Sequence, residues 1–309
     1  MQEQSDLKLY VILSISMMLW GGSWTAGKML AVTANPSVIV FWRFFCTAIA
    51  FIPLLLYRKE DLRIKRETFL RLVLAAALMV GYNQCFFRGL VTGLAGAGGV
   101  IVTSLNPLIT FILVIIITRK FLKPLEMVGL AVGIAGGIIL LEVWQISYQH
   151  LLATGNLFFL IASCCWASLT LVSQKTQEKV GFLVYSFYVF LFSAIIDLPF
   201  ALGAGIFNPN VMNVGFWLEV AYLSVAATAF ATTVYFRASS ALGSHSASSF
   251  IFLVPISAVF FSWLILGEVP KISTIFGGVL TIAAVYLINS AKGKKRQMQT
   301  GAAGAVKIQ

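Results

Sequence analysis

The chain has 309 residues, of which 59% are hydrophobic and only 11% charged. Soluble domains carry about 25% charged residues, so composition excludes a soluble enzyme or binding module. The net charge of +11 does not point to nucleic acid, because the basic residues lie between apolar runs and in the tail, where they flank a bilayer.

Ten apolar runs follow in order, at residues 9–30, 37–57, 72–92, 98–118, 124–143, 155–174, 182–205, 216–236, 246–266 and 272–291. A helix crosses hydrocarbon with about 20 residues and satisfies its own backbone there, so the runs predict an all-α integral membrane protein. The short alternating segments of a barrel are missing. Run 1 is too long for a signal-peptide core and lacks a small-residue cleavage site. It reads as the first span.

Each span carries a few residues of other character. In span 1, Ser16, Trp20, Trp24 and Gly27 recur at helical spacing and share a face. Arg43 lies about two turns inside span 2, where it either snorkels outward or pairs with an acid such as Glu142, Asp197 or Glu268. Span 3 holds Gly81-Tyr82-Asn83-Gln84 near its middle. Two carboxamides at membrane depth need partners, either a substrate or Asn106 of span 4. That span presents Gly99, Thr103, Asn106 and Thr110 on one side, and Asn106-Pro107 predicts a loosened backbone ladder.

Gly129, Gly133 and Gly137 of span 5 form overlapping small-xxx-small motifs, which serve either a homodimer or packing within one chain. Span 6 offers Trp166, Thr170 and Ser173; span 8 offers Thr228, Thr232 and Tyr235. Asp197 in span 7 is the most deeply placed acid and is a candidate for ion coupling or for pairing with Arg43. Ser249 is a further lining candidate in span 9, and Pro255 predicts a loosened ladder there. The tail at 292–309 is basic, then Gly- and Ala-rich, and is expected to be disordered.

The basic residues set the orientation. With the amino terminus inside, 18 of the 22 Lys and Arg fall on the inner side, and only Lys28, Arg88 and Lys271 fall outside. Both termini are therefore expected in the cytoplasm, with the protein in the cell (inner) membrane.

An internal repeat underlies the ten spans. Phe41-Trp42-Arg43 lies over Phe187-Tyr188-Val189 at a shift of 146, which Trp20 and Trp166 share. Phe87-Arg88 matches Phe236-Arg237 at 149, and Gly129 matches Gly277 at 148. The halves are 1–145 and 150–291. Five spans per half make the second half enter from the opposite side, which is the inverted repeat of many secondary transporters.

Several residue groups carry a family resemblance. They are Leu19-Trp20-Gly21-Gly22-Ser23, Trp42-Arg43-Phe44, Asn106-Pro107, Pro255 and Leu266-Gly267-Glu268, in this order along residues 8–291. In these the sequence resembles the drug/metabolite transporter superfamily, in particular its ten-helix EamA-like branch. The resemblance implies two five-helix halves around a central cavity, and transport of amino acids or other small metabolites, often outward. Many members repeat Leu-Gly-Glu in the first half, whereas this chain has Thr118-Arg119-Lys120.

The expected function is a secondary carrier working by alternating access, most simply an exporter of amino acids or related compounds. The expected partners are a small-molecule substrate and membrane lipid, with no nucleic acid. The substrate-lining candidates are Trp20, Trp24, Tyr82, Asn83, Asn106, Trp166, Thr170, Tyr235 and Ser249. A channel or lipid-handling protein is the second class, although no charged ring or filter-like repeat is present. A membrane enzyme is the third. The two histidines, His150 and His245, lie near span ends, and there is no HExxH or Walker motif. No cofactor or metal is expected, and Cys46, Cys85, Cys164 and Cys165 lack ligand spacing.

Overall fold

A computed structural model describes residues 2–119, 123–145, 149, 153–209, 211–242 and 250–305. Among these there is no strand, and ten long helices account for most of the chain. They are α1 (Gln2–Ala31), α2 (Pro36–Arg58), α3 (Arg66–Thr92), α4 (Ala95–Thr118), α5 (Pro124–Leu140), α6 (Asn156–Val180), α7 (Phe182–Gly203), α8 (214–242), α9 (Leu253–Leu266) and α10 (Ile272–Ala305). Seven have the length and apolar character to cross a membrane, and shorter apolar stretches fall at Pro124–Leu140, Phe250–Leu266 and Ile272–Ile288. Large apolar side chains such as Leu56, Ile116, Ile195, Phe200, Leu264 and Phe276 stand exposed around the bundle, which suits a surface wetted by lipid.

Local chemistry sets the helix ends. Pro36 opens α2 at a position that needs no N–H, and the Asn35 side chain accepts from the Ser37 N–H at 3.0 Å. Gly181, at φ 74°, makes the one-residue joint between α6 and α7, a conformation that glycine adopts without cost. Pro107 lies inside the continuous helix α4. Pro255 is the third residue of α9, directly after the 3-10 turn Phe250–Phe252 that leads into it. Helix α10 is continuous from Ile272 through Ala305. An established helix propagates without a new nucleus, and the Ala, Lys, Gln and Met of this stretch are good helix formers.

Helix α8 is interrupted in mid-span. Between Val214–Ala221 and Ala231–Leu242, residues Tyr222–Phe230 wind as a π-helix. The Thr228 hydroxyl donates to the Leu223 carbonyl at 2.7 Å, five residues back. Such widened turns are rare and occur often at functional sites.

The packing is nearly unchanged when each helix is exchanged for the one five places on. α2 packs on α7, α4 on α9 and α5 on α10; α1 packs on α8 and α9, while α6 packs on α3 and α4. Glycines make the closest approaches. A Cβ on Gly136 would stand 2.8 Å from Thr281 and 3.0 Å from the Gly277 carbonyl of α10, and one on Gly133 would stand 2.7 Å from Leu108 of α4. The glycine face of α5 is therefore covered by α10 and α4 within one chain.

Candidate functional site

Polar side chains and large rings gather where the two halves meet. Trp20 of α1 and Tyr235 of α8 are half-buried, with ring centroids 5.5 Å apart. Trp166 of α6 and Tyr82 of α3 are also half-buried, with centroids 4.7 Å apart. Exchanging the halves turns α1 into α6 and α8 into α3, so the two Trp–Tyr pairs occupy related places and each bridges the halves. Both can offer rings to an apolar, aromatic or cationic group.

Next to Tyr82 on α3, Asn83 and Gln84 reach different neighbours, as consecutive helical residues do. Asn83 is buried. Its amide donates to the Met79 carbonyl at 3.0 Å, which presents its oxygen to Arg43; the Arg43 guanidinium donates to that oxygen at 3.0 Å. The guanidinium also lies 5.8 Å from the Phe86 ring centre and 6.0 Å from that of Phe87. The Arg43 carbonyl accepts from Ser224 in the π-helical stretch at 3.0 Å, tying α2 to α8. Gln84 donates to Asp197 Oδ1 at 2.6 Å and to Ser37 at 3.1 Å. Asp197 is fully buried, and its other oxygen has no hydrogen-bond partner among the described residues.

The expected acids do not pair with Arg43. Asp197 is engaged by Gln84, Glu142 by Lys271 at 2.9 Å and Ser273 at 2.7 Å, and Glu268 by Ser262 and the Ala95 N–H at 2.7 Å. Arg43 and Asp197 are served instead by two neighbouring carboxamides of α3. Asn83 also does not reach Asn106, which accepts from Thr110 at 3.4 Å on its own helix.

The most extensive resemblance is at the level of the whole chain. The profile of the EamA-like transporter family matches twice, over residues 7–142 and 153–290. The chain belongs to the EamA-like transporter family. It is thus a multi-pass membrane protein of a transporter family. One similar protein is an uncharacterized transporter of Archaeoglobus fulgidus, 24% identical over 282 residues, covering 91% of this chain and 96% of the relative. Another is named an S-adenosylmethionine uptake transporter, from Rickettsia prowazekii, 22% identical over 266 residues and covering 86% and 87% of the two chains. A solved crystal structure shares the fold at a TM-score of 0.61 and 17% identity, covering 91% of this chain and 96% of its own.

Within this EamA-like bundle the other sequence candidates are scattered. Trp24 is 3% exposed, wedged against Phe86 at 4.5 Å and Phe159 at 5.9 Å; it offers no surface to a ligand here. Asn106 is half-buried on α4. Thr170 is exposed and donates to the Trp166 carbonyl at 2.8 Å, a local bond that leaves its role open. Ser249 lies outside the described residues. Sequence reasoning missed Ser224 and Tyr222, whose hydroxyl donates to the Leu19 carbonyl at 2.9 Å. The π-helical winding that aims them leaves no compositional trace.

Proposed function

We propose that this EamA-like protein is a secondary carrier for amino-acid-like metabolites, which bind between halves 1–145 and 150–291. The observation that carries the reading is the pair of Trp–Tyr contacts, Trp20–Tyr235 and Tyr82–Trp166, each bridging the halves at related places. Rocking of one half against the other would open these pairs alternately, as inverted-repeat transporters do. The excess of Lys and Arg on one side supports cytoplasmic termini in the cell membrane. Asp197 is the coupling residue in this reading, because its contact with Gln84 crosses the halves and must change as they move. The expected outward direction has no structural signature. A carrier runs down the combined gradients of its solutes, and relatives are named for uptake.

The test is counterflow in proteoliposomes against amino acids, organic acids, amines and S-adenosylmethionine. Trp20→Ala and Trp166→Ala should each lower flux about 10-fold, the upper range for an aromatic contact, without loss of folding. Trp24→Ala should act mainly on stability. Saturable counterflow separates a carrier from a channel, and wild-type protein without counterflow of any tested solute refutes the reading.

A further inference from the structure

We propose that Arg43 receives a carboxylate of the transported solute, so that the substrates are amino acids or other organic acids rather than amines. The inference rests on the carrier reading above and deepens it.

Arg43 is about two turns inside α2, at a depth where a charge is costly without a partner. A guanidinium has five N–H donors in a planar fork. Among the described residues, this one finds a single hydrogen-bond acceptor, Asn83 Oδ1 at 3.0 Å, and two Phe faces. No carboxylate among the described residues lies within 4.0 Å of it. The acids that sequence placed within reach are each committed to other donors, on α3, at the start of α4, or at Lys271 and Ser273 where α10 begins. The cation is also held in place. Asn83 is itself fixed by the Met79 carbonyl, and the Arg43 backbone is fixed by Ser224 and Thr47. A fork oriented in this way, with donors to spare, suits a planar carboxylate, which accepts two parallel N–H bonds.

The neighbourhood says what the rest of the solute meets. Phe86, under the guanidinium, lies 5.9 Å from Tyr82, which lies 4.7 Å from Trp166. One ring thus separates the cation from the aromatic contact between the halves. A solute whose carboxylate sits on Arg43 can lay its side chain against Tyr82 and Trp166. Release of such a solute would leave the guanidinium on Asn83 and the Phe rings, as in this structure.

The experiment compares each amino acid with its own amide. Reconstituted full-length protein is assayed by counterflow inhibition with phenylalanine, leucine, pyruvate and succinate. Phenylalaninamide, leucinamide and phenethylamine serve as controls of matched size. Wild type should prefer acid over amide by about 10- to 100-fold, the range for a hydrogen bond to a charged group. Arg43→Gln should bring that ratio near one by weakening the acids alone, and Arg43→Lys should retain part of it. If Arg43→Gln does not fold, the wild-type acid-to-amide ratio decides alone. Equal recognition of phenylalanine and phenylalaninamide by wild type, or an unchanged ratio in folded Arg43→Gln, overturns the assignment while leaving a carrier. Wild type that moves none of these solutes overturns both.

Discussion

At the scale of single residues, the site is organised by two adjacent carboxamides. Asn83 faces the one cation within span 2, and Gln84 faces the buried acid of α7. Removing the acid should show how much of this is structural. Asp197→Ala leaves the buried Gln84 with only Ser37, and an unmade buried hydrogen bond costs about 1–3 kcal/mol; thermal unfolding in detergent should shift down accordingly. Asp197→Asn keeps the shape and an acceptor for Gln84, so it should unfold near the wild-type temperature. If Asp197 carries the coupling, Asp197→Asn should keep counterflow yet lose accumulation driven by a pH gradient. Accumulation equal to wild type removes Asp197 from coupling and leaves it a structural residue.

Among the helices, the seam between α5 and α10 is closely packed at its glycines. A Cβ on Gly277 would stand 2.8 Å from the Gly136 carbonyl and 2.8 Å from the Leu140 backbone nitrogen, and backbone atoms cannot turn aside. Gly277→Leu should therefore separate the helices and lower the unfolding temperature, with a cost of about 1–3 kcal/mol or more from overpacking. Gly203→Leu, where nothing lies within 4 Å, should leave the unfolding temperature unchanged. How legible these elements were depends on what imposed them. Hydrocarbon demands long apolar helices, so all ten runs could be read directly, and the glycine spacing of α5 told that something packs there without saying what. The repeat shift of 146 linked Trp20 to Trp166, and the structure gives each a tyrosine partner. Shifts could not name those partners, because 149 sets Tyr235 opposite Phe86 while Tyr82, one turn away, makes the contact. Arg43 was legible as a problem, a charge in a span, but its neighbours came from two other helices, α3 and α8, that no local pattern connects.

For the molecule as a whole, the two ends of the bundle are not equivalent. Polar contacts between the halves concentrate, among the described residues, at the end opposite the termini: Glu268 on the start of α4, Lys271 and Ser273 on Glu142, Gln84 on Asp197, and Trp42 on the Ile206 carbonyl. At the other end, among the described residues, Lys179–Glu67 and Tyr188 on the Leu62 carbonyl join them, and both are exposed, while nearer the middle the buried Ser193 donates to the Ala76 carbonyl at 3.3 Å. Glu268 is the most telling of these. Its carboxylate accepts from the Ala95 N–H at 2.7 Å and the Gly96 N–H at 3.4 Å, where the helix dipole favours negative charge. The first half has Thr118-Arg119-Lys120 at the related place, so this sequence provides no second carboxylate in that motif to hold the terminal end in the same way. Closure of the far end should therefore be favoured, and Glu268→Gln should relax it. A carboxylate at a helix start is worth up to about 2 kcal/mol, so loss of about 1–2 kcal/mol would raise the open population roughly 5- to 30-fold. Ala258 is fully buried where α9 meets Gly99 of α4, which makes Ala258→Cys a reporter once the four native cysteines are replaced. In oriented vesicles, an impermeant maleimide applied at the far end should label that cysteine faster in Glu268→Gln by this factor, with Glu268→Asp in between. An equal labelling rate in both backgrounds would mean that the carboxylate caps α4 without holding the halves together.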